Sequence, residues 1–161
     1  MFSFFRKDDK DKHDHSGSTV QELPGSNIHY YSDLIDHLTV EHQELLVIYQ
    51  AIDKARGKGN FSQVGKQLVD FGSKLRGHLL TENVKLYVYL RHALGSDSES
   101  AAIMQQFRAE MMHIGKSVAD FLEKYEQVDW NELTQNEFNN DFVQVGQILA
   151  KRIKTEEETL Y

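Results

Sequence analysis

The fold of this chain is indicated by the segment HLLTENVKLY, residues 78–87, and by its partial repeat RIKTEEETLY, residues 152–161. Both segments carry Thr, Glu, Leu and Tyr at the same offsets, and Leu79 is aligned with Ile153. Their first residues differ, because His78 is aligned with Arg152. Each segment closes a longer run in which apolar side chains recur every three or four residues, which is typical of one face of an α-helix.

Four such helical runs follow Ser32, and the segments RGKGN, SDSES and TQNE supply the glycine and capping side chains expected at helix ends. Short connections between long helices favour antiparallel neighbours. The sequence therefore predicts an all-α fold, an antiparallel up-down-up-down four-helix bundle. The predicted inward faces are Leu34, Leu38, His42, Leu45, Tyr49 and Ile52; Val64, Leu68, Phe71, Leu75, His78, Glu82, Leu86 and Tyr89; Phe107, Met111, Ile114, Val118, Phe121 and Tyr125; and Phe138, Phe142, Val145, Leu149, Ile153, Glu156 and Leu160.

The composition bounds the domain organisation and the class of partner. A chain of 161 residues that is 40% hydrophobic has the size of one domain. Residues 1–27 mix charges without periodicity and predict a flexible tail, followed by the bundle at 28–161. The net charge of −7 and the lack of a basic block argue against a nucleic-acid partner. No apolar run could span a bilayer and the first residues lack a signal-peptide core, which predicts a cytoplasmic protein.

Polar side chains interrupt the predicted inward faces at one level. His42 lies on the first face, and His78 and Glu82 lie one turn apart on the second. Burying two imidazoles and a carboxylate among apolar side chains is costly unless they are paired. The chain has no cysteine, so any metal ion would be held by imidazole and carboxylate groups. A bound cation is one explanation for these residues, and a hydrogen-bonded network is the other.

The segments EHQELL and HLLTENVKLY resemble the metal-binding motifs of the hemerythrin-like (HHE cation-binding) family, and the resemblance covers about residues 30–161. It implies a four-helix bundle with a non-haem di-iron centre. By this resemblance His42 and His78 are ligands of one iron and Glu82 is a bridging carboxylate. Glu156 resembles the second bridge, with its neighbour Glu157 as the alternative.

Two departures from that family leave at most one metal ion. Arg152 stands where the family has its fourth-helix histidine, and a guanidinium group cannot bind a metal. Met111 occupies the expected third-helix histidine position, with Glu110 and His113 as nearby candidates to reach the site or support it. The charge of Arg152 can offset the two bridging carboxylates. The predicted cofactor is one iron ion, with zinc, manganese or no metal as alternatives.

The resemblance implies a sensor or carrier module for O₂, NO or redox state, with a metal ion, a diatomic gas and an unknown protein as partners. A metal-free regulatory or interaction module that has lost its metal site is the alternative. The third hypothesis is an enzyme of oxidative or nitrosative stress. The sequence offers neither a nucleophile and base pair nor a phosphate-binding loop, so an enzyme is not favoured.

Overall fold

The computed structural model describes residues 20–22, 29–31, 33–94 and 97–161, and most of these described residues are helical. Strands β1 (Val20–Glu22) and β2 (His29–Tyr31) pair antiparallel ahead of the first helix. The predicted all-α class is confirmed, since this ribbon is the only β structure in the described ranges. The helical elements are α1 (Leu34–Gly57), α2 (Phe61–Thr81), a π-helical segment (Glu82–Leu86), α3 (Tyr87–Leu94), α4 (Ser98–Tyr125) and α5 (Glu132–Thr159). The predicted tail at residues 1–27 lies outside the described residues, apart from 20–22, and stays a prediction.

Side-chain caps and one glycine set the helix ends. Gly59 has a φ of +69°, a conformation that glycine adopts without strain, and it lets the chain turn between α1 and α2. The side chains of Asn60, Asp97 and Asn131 then accept hydrogen bonds from the backbone of the first turns of α2, α4 and α5. The fourth long helix therefore begins three residues earlier than the segment TQNE predicts, because Asn131 and not Thr134 is its cap.

The helices pack around two apolar clusters that a polar layer separates. α1 packs against α2 and α5, while α4 packs against α2, α3 and α5. The larger cluster draws on α1, α2, α4 and α5 and includes the fully buried Tyr125, Phe138 and Phe142. The smaller cluster contains Leu34, Leu38 and Leu86. On each helical run that reaches both clusters, buried polar side chains lie between the residues of the two clusters; they are His42, His78, Glu82, Arg152 and Glu156.

Charge is distributed unevenly over the helix surfaces. α1 carries four acidic and two basic residues, and α5, which packs beside it, carries six acidic and three basic residues. α2 has the opposite balance, with one acidic and three basic residues. Exposed large apolar side chains are spread over several helices and include Val47, Leu80 and Met112. Within the ranges that the structure describes, no helix has the length and apolarity needed to cross a bilayer.

Candidate functional site

The candidate site is the polar layer, defined as His42, His78, Glu82, Arg152 and Glu156. Each of these side chains is 4% exposed or less. α1 supplies the first imidazole, α2 the second, the π-helical segment Glu82, and α5 both Arg152 and Glu156. Four of the five groups occupy stripe positions predicted from the sequence, and Arg152, which was not on a predicted stripe, lies at the same level.

Two imidazoles meet edge to edge at the centre of the layer. The Nε2 atoms of His42 and His78 lie 3.1 Å apart. The Nδ1 atoms point outward, His42 to a Glu157 oxygen at 2.9 Å and His78 to a Glu41 oxygen at 3.0 Å. An ionised carboxylate can only accept, so each Nδ1–H group donates a hydrogen bond to its glutamate. The contact between the two Nε2 atoms is then a hydrogen bond when one of the rings carries a second proton.

Arg152 joins the two buried carboxylates to the third long helix. Its Nη2 atom lies 2.6 Å from Glu82 Oε2 and 2.7 Å from Glu156 Oε1. Its Nη1 atom donates to the backbone oxygen of Met111 at 2.5 Å. Gly115 allows this approach, because a Cβ atom there would lie 3.2 Å from Nη1. One guanidinium group therefore connects α5, α4 and the π-helical segment, with the planar geometry that suits arginine.

The remaining oxygens of the two carboxylates face the imidazoles. Glu82 Oε1 accepts a hydrogen bond from the Tyr161 hydroxyl at 3.1 Å and lies 3.5 Å from His78 Nε2. Glu156 Oε2 lies 3.3 Å from His42 Nε2. Neither Glu156 oxygen has a well-aligned hydrogen bond among the described residues. Glu156 is therefore held by charge alone, whereas Glu82 is held by charge and by two hydrogen bonds, from Arg152 and from Tyr161.

The environment moves the pKa values of these groups in opposite directions. Burial raises the pKa of Glu82, but the hydrogen bond from His78 and the charges of His78 and Arg152 outweigh burial, so the pKa is lowered. Burial raises the pKa of Glu156, and its contacts with His42 and Arg152 do not reverse the shift. Burial lowers the pKa of His78, but the contacts with Glu82 and Glu41 outweigh it and the pKa is raised. The layer thus favours an imidazolium at His78 beside an ionised Glu82.

The π-helical segment begins at Glu82 and changes the helical phase after it. Leu86 and Tyr87 are buried, whereas Tyr89 is only half-buried. The extra residue in the turn rotates the following side chains by about 100° relative to a regular helix. The prediction that Tyr89 continues the inward face is therefore wrong, and Tyr87 takes that place.

The other candidate residues of the sequence fall in different places. Glu157 contacts His42 at the edge of the layer. Glu110 is exposed and lies 3.6 Å from Lys151, and His113 is exposed on α4, so neither contacts the layer. Met111 is buried and contributes its backbone oxygen.

Two contributors were missed by the sequence reasoning. Glu41 immediately precedes His42 and holds the second imidazole, and that adjacency within EHQELL was the available signal. Tyr161 donates to Glu82 and stacks on the His42 ring with centroids 5.5 Å apart. Its equivalence to Tyr87 in the repeat was visible, but a contact with the first helix was not.

The arrangement also bears on the predicted metal ligands. His42, His78, Glu82 and Glu156 each offer one ligand atom within 4.8 Å of the others. Arg152 offsets part of the charge of the two carboxylates among them. The bridging and ligand roles assigned to these residues, and the iron ion itself, stay predictions.

Comparison with known families assigns the chain to a family other than the hemerythrin-like one, whose motifs its segments resemble. The family model described as "Regulator of RNA polymerase sigma(70) subunit, Rsd/AlgQ" matches residues 19–161. Searches of curated proteins and of solved structures found no match.

The hemerythrin-like assignment is therefore wrong, and so are the gas-sensing or gas-carrying function and the metal and gas partners drawn from it. Histidine and glutamate one turn apart on an apolar stripe are what any buried polar layer between helices needs, so their spacing does not single out a di-iron protein. The match extends over nearly the whole sequence, and the chain belongs to the Rsd/AlgQ family of regulators of the RNA polymerase sigma(70) subunit.

Proposed function

We propose that this chain regulates transcription by binding the sigma(70) subunit of RNA polymerase in the cytoplasm. The observation that carries the proposal is the family match over residues 19–161. It agrees with the alternative drawn from the sequence, a metal-free regulatory module that acts through a protein contact. The function is then carried by an outer surface, and the polar layer holds that surface in shape.

An antiparallel up-down-up-down four-helix bundle is the architecture we propose for this module. α1 passes from the smaller apolar cluster to the larger one, and α2 returns with the π-helical segment to the smaller cluster. α4 contributes Val118 and Tyr125 to the larger cluster late in its length, and α5 passes from Phe138 towards Leu160 beside the smaller cluster. These alternating directions, with each long helix packed on two others, support the bundle.

The acidic side formed by α1 and α5 is the surface we propose for the contact. A protein that works on DNA needs positive surfaces to contact phosphates. Complementary charge on a regulator accelerates association with such a surface and orients it. α1 and α5 carry the acidic excess of the chain side by side, and Asp36 and Glu158 are exposed on them. Binding there would cover the positive surface of the sigma subunit and compete with its other contacts.

The polar layer has a structural role in this proposal. Arg152 pairs with Glu82 and Glu156, and the two imidazoles lie in contact and are held by Glu41 and Glu157. The layer ties α5 to α1, α2 and α4 at one level. It thereby fixes the relative positions of the two helices that form the acidic side.

Titration calorimetry of the full chain against the purified sigma(70) subunit tests the proposal. We expect saturable binding and inhibition of sigma-dependent transcription in a reconstituted assay. The double variant Asp36→Lys/Glu158→Lys should slow association by roughly tenfold at low salt. Asp70→Lys/Glu99→Lys makes the same charge change on exposed positions of α2 and α4 and serves as the matched control. Absence of binding by the unaltered chain would overturn the function, whereas equal losses in both double variants would overturn only the acidic surface.

A further inference from the structure

A groove between α4 and the helical run from α2 to α3 stands apart from the proposed contact surface. Its volume is about 260 Å³, somewhat smaller than the pockets that hold drug-sized ligands. The residues that decide its chemistry are Tyr87 and Arg108 on its walls, Arg152 beneath it and Lys116 beside them. Leu79, Met111 and Met112 supply apolar surface. The groove therefore combines a charged region with an apolar one.

The charge of the groove is opposite to that of the chain. The described residues that line it include three cations and no aspartate or glutamate. The chain as a whole has 25 acidic and 18 basic residues, so such a lining is not the average of its surface. Beneath the groove, Arg152 is paired with Glu82 and Glu156 and offsets only part of their charge. Arg108, which forms no ion pair with a described residue, is therefore the lining cation that attracts an anion.

Two hydrogen-bond donors in the groove lack partners. The Tyr87 hydroxyl and the Arg108 Nε atom are buried, and neither has a hydrogen bond among the described residues. The Tyr87 side chain is 4% exposed. Leaving a buried donor unpaired is costly, so a buried unpaired group calls for an explanation. Two such donors lining one groove of matching charge point to a ligand that accepts from both.

The donors are also held in place and in the required protonation state. The Arg108 guanidinium lies over the Tyr87 ring, with 5.6 Å from Cζ to the ring centroid. Burial, followed by the charges of Glu82 and Glu156, raises the pKa of Tyr87 above its usual value. The hydroxyl therefore stays protonated at neutral pH and can donate. Lys116 is paired with Asp120 at 2.8 Å and adds charge at the rim without being a required contact.

We propose that this groove binds a small organic anion, a carboxylate or a phosphate monoester with a short apolar portion, anchored by Arg108 and the Tyr87 hydroxyl. The anionic group accepts from the guanidinium and the hydroxyl, which are the two donors without partners. The apolar portion packs on Leu79, Met111 and Met112. This site is separate from the proposed sigma contact, because α4 and the α2–α3 run supply its lining, apart from the buried Arg152 of α5.

Nuclear magnetic resonance and calorimetry with phenyl phosphate as the probe test the site. We expect saturable binding at one site per chain, with a shift of the Arg108 Nε–H resonance. Phenol lacks the charge and inorganic phosphate lacks the apolar portion, so both should bind at least tenfold more weakly. Hexanoate is a second probe that asks whether a carboxylate replaces the phosphate. Saturable binding of either anion at Arg108 supports the proposal, and no saturable binding of either one overturns it.

Three variants separate the site from general charge effects. Arg108→Met removes the guanidinium and keeps an apolar stem, and it should weaken the probe at least tenfold. Tyr87→Phe removes only the hydroxyl and should weaken it about fivefold. Arg91→Met removes the same charge from an exposed position of α3 and should leave affinity unchanged. Equal losses in Arg91→Met and Arg108→Met, with all variants folded by circular dichroism, would refute the assigned anchors.

Discussion

Replacing Arg152 by methionine should destabilise the chain more than any other single charge removal. Methionine fills similar space but leaves Glu82 and Glu156, each 0% exposed, without their cation. Breaking a buried ion pair by removing one partner costs about 3–5 kcal/mol, because the remaining charge stays buried. For a domain of 150–250 residues each 1 kcal/mol lowers Tm by roughly 2–4 °C. We therefore expect Tm to fall by about 6–20 °C.

The assays are thermal unfolding, which gives Tm, and urea unfolding, which gives the free energy, both at pH 7 and followed by circular dichroism. Lys151→Met is the matched control, since Lys151 is the exposed neighbour on the same helix, and it should change stability by less than about 0.5 kcal/mol. In the Arg152→Met protein the two carboxyl groups have raised pKa values in the folded state. The penalty should therefore shrink as the pH falls through those values. A loss below about 1 kcal/mol at pH 7, or a loss independent of pH, would refute the reasoning.

Three further outcomes follow from the same layer. The raised pKa of His78 adds stability below pH 6.5, its pKa in the unfolded chain, and this stability is lost as pH rises through the folded-state pKa. The lowered pKa of Glu82 adds stability above pH 4.5, its pKa in the unfolded chain, and this stability is lost as pH falls through the folded-state pKa. The raised pKa of Glu156 acts against Glu82, because it removes stability as pH rises above 4.5. His78→Gln should flatten the loss of stability that the unaltered chain shows as pH rises above 6.5, measured by urea unfolding across pH; an unchanged profile in that variant would contradict the assignment. Gly115→Val should destabilise more than Gly115→Ala, because a Cβ already lies 3.2 Å from Arg152 Nη1, and equal melting temperatures would show that the guanidinium can move. Chelation with EDTA should leave Tm and sigma binding unchanged for the metal-free layer, and a Tm drop that metal restores would favour the iron prediction instead.

The apolar periodicity predicted the helices well because burial on one side is the dominant constraint on their sequences. It also indicated His42, His78 and Glu82 as one level, since helix rise and antiparallel packing fix depth. Arg152 and Glu156 were singled out by the repeat of residues 78–87 at 152–161. The π-helical segment could not be predicted, because a 3.6-residue period does not reveal an inserted residue. The start of α5 was misplaced because two capping sequences lie three residues apart, and only packing decides between them.

The family could not be inferred from the buried residues, since polar layers in unrelated helical proteins use the same side chains. The proposed contact surface on α1 and α5 gave no periodic pattern in the sequence either. An exposed acidic side chain such as Asp36 changes the free energy of folding little at any surface position. Its position in the sequence therefore indicates an acidic surface only when the helix packed beside it is known. The groove was equally hidden, because Tyr87 and Arg108 meet across elements that the sequence does not order in space.

The position of the polar layer between the two apolar clusters has a consequence for how the helices align along their lengths. Apolar side chains of similar size can exchange places when one helix slides past its neighbours, so such interfaces define axial position weakly. A slide of α5 by one turn, about 5.4 Å, would bring Ile153 or Leu160 to the imidazoles and leave Glu156 among leucines. That arrangement carries the cost of an uncompensated buried charge. The layer therefore selects one axial alignment of α5 against α1. A partner that contacts both helices then binds one fixed arrangement of their exposed side chains.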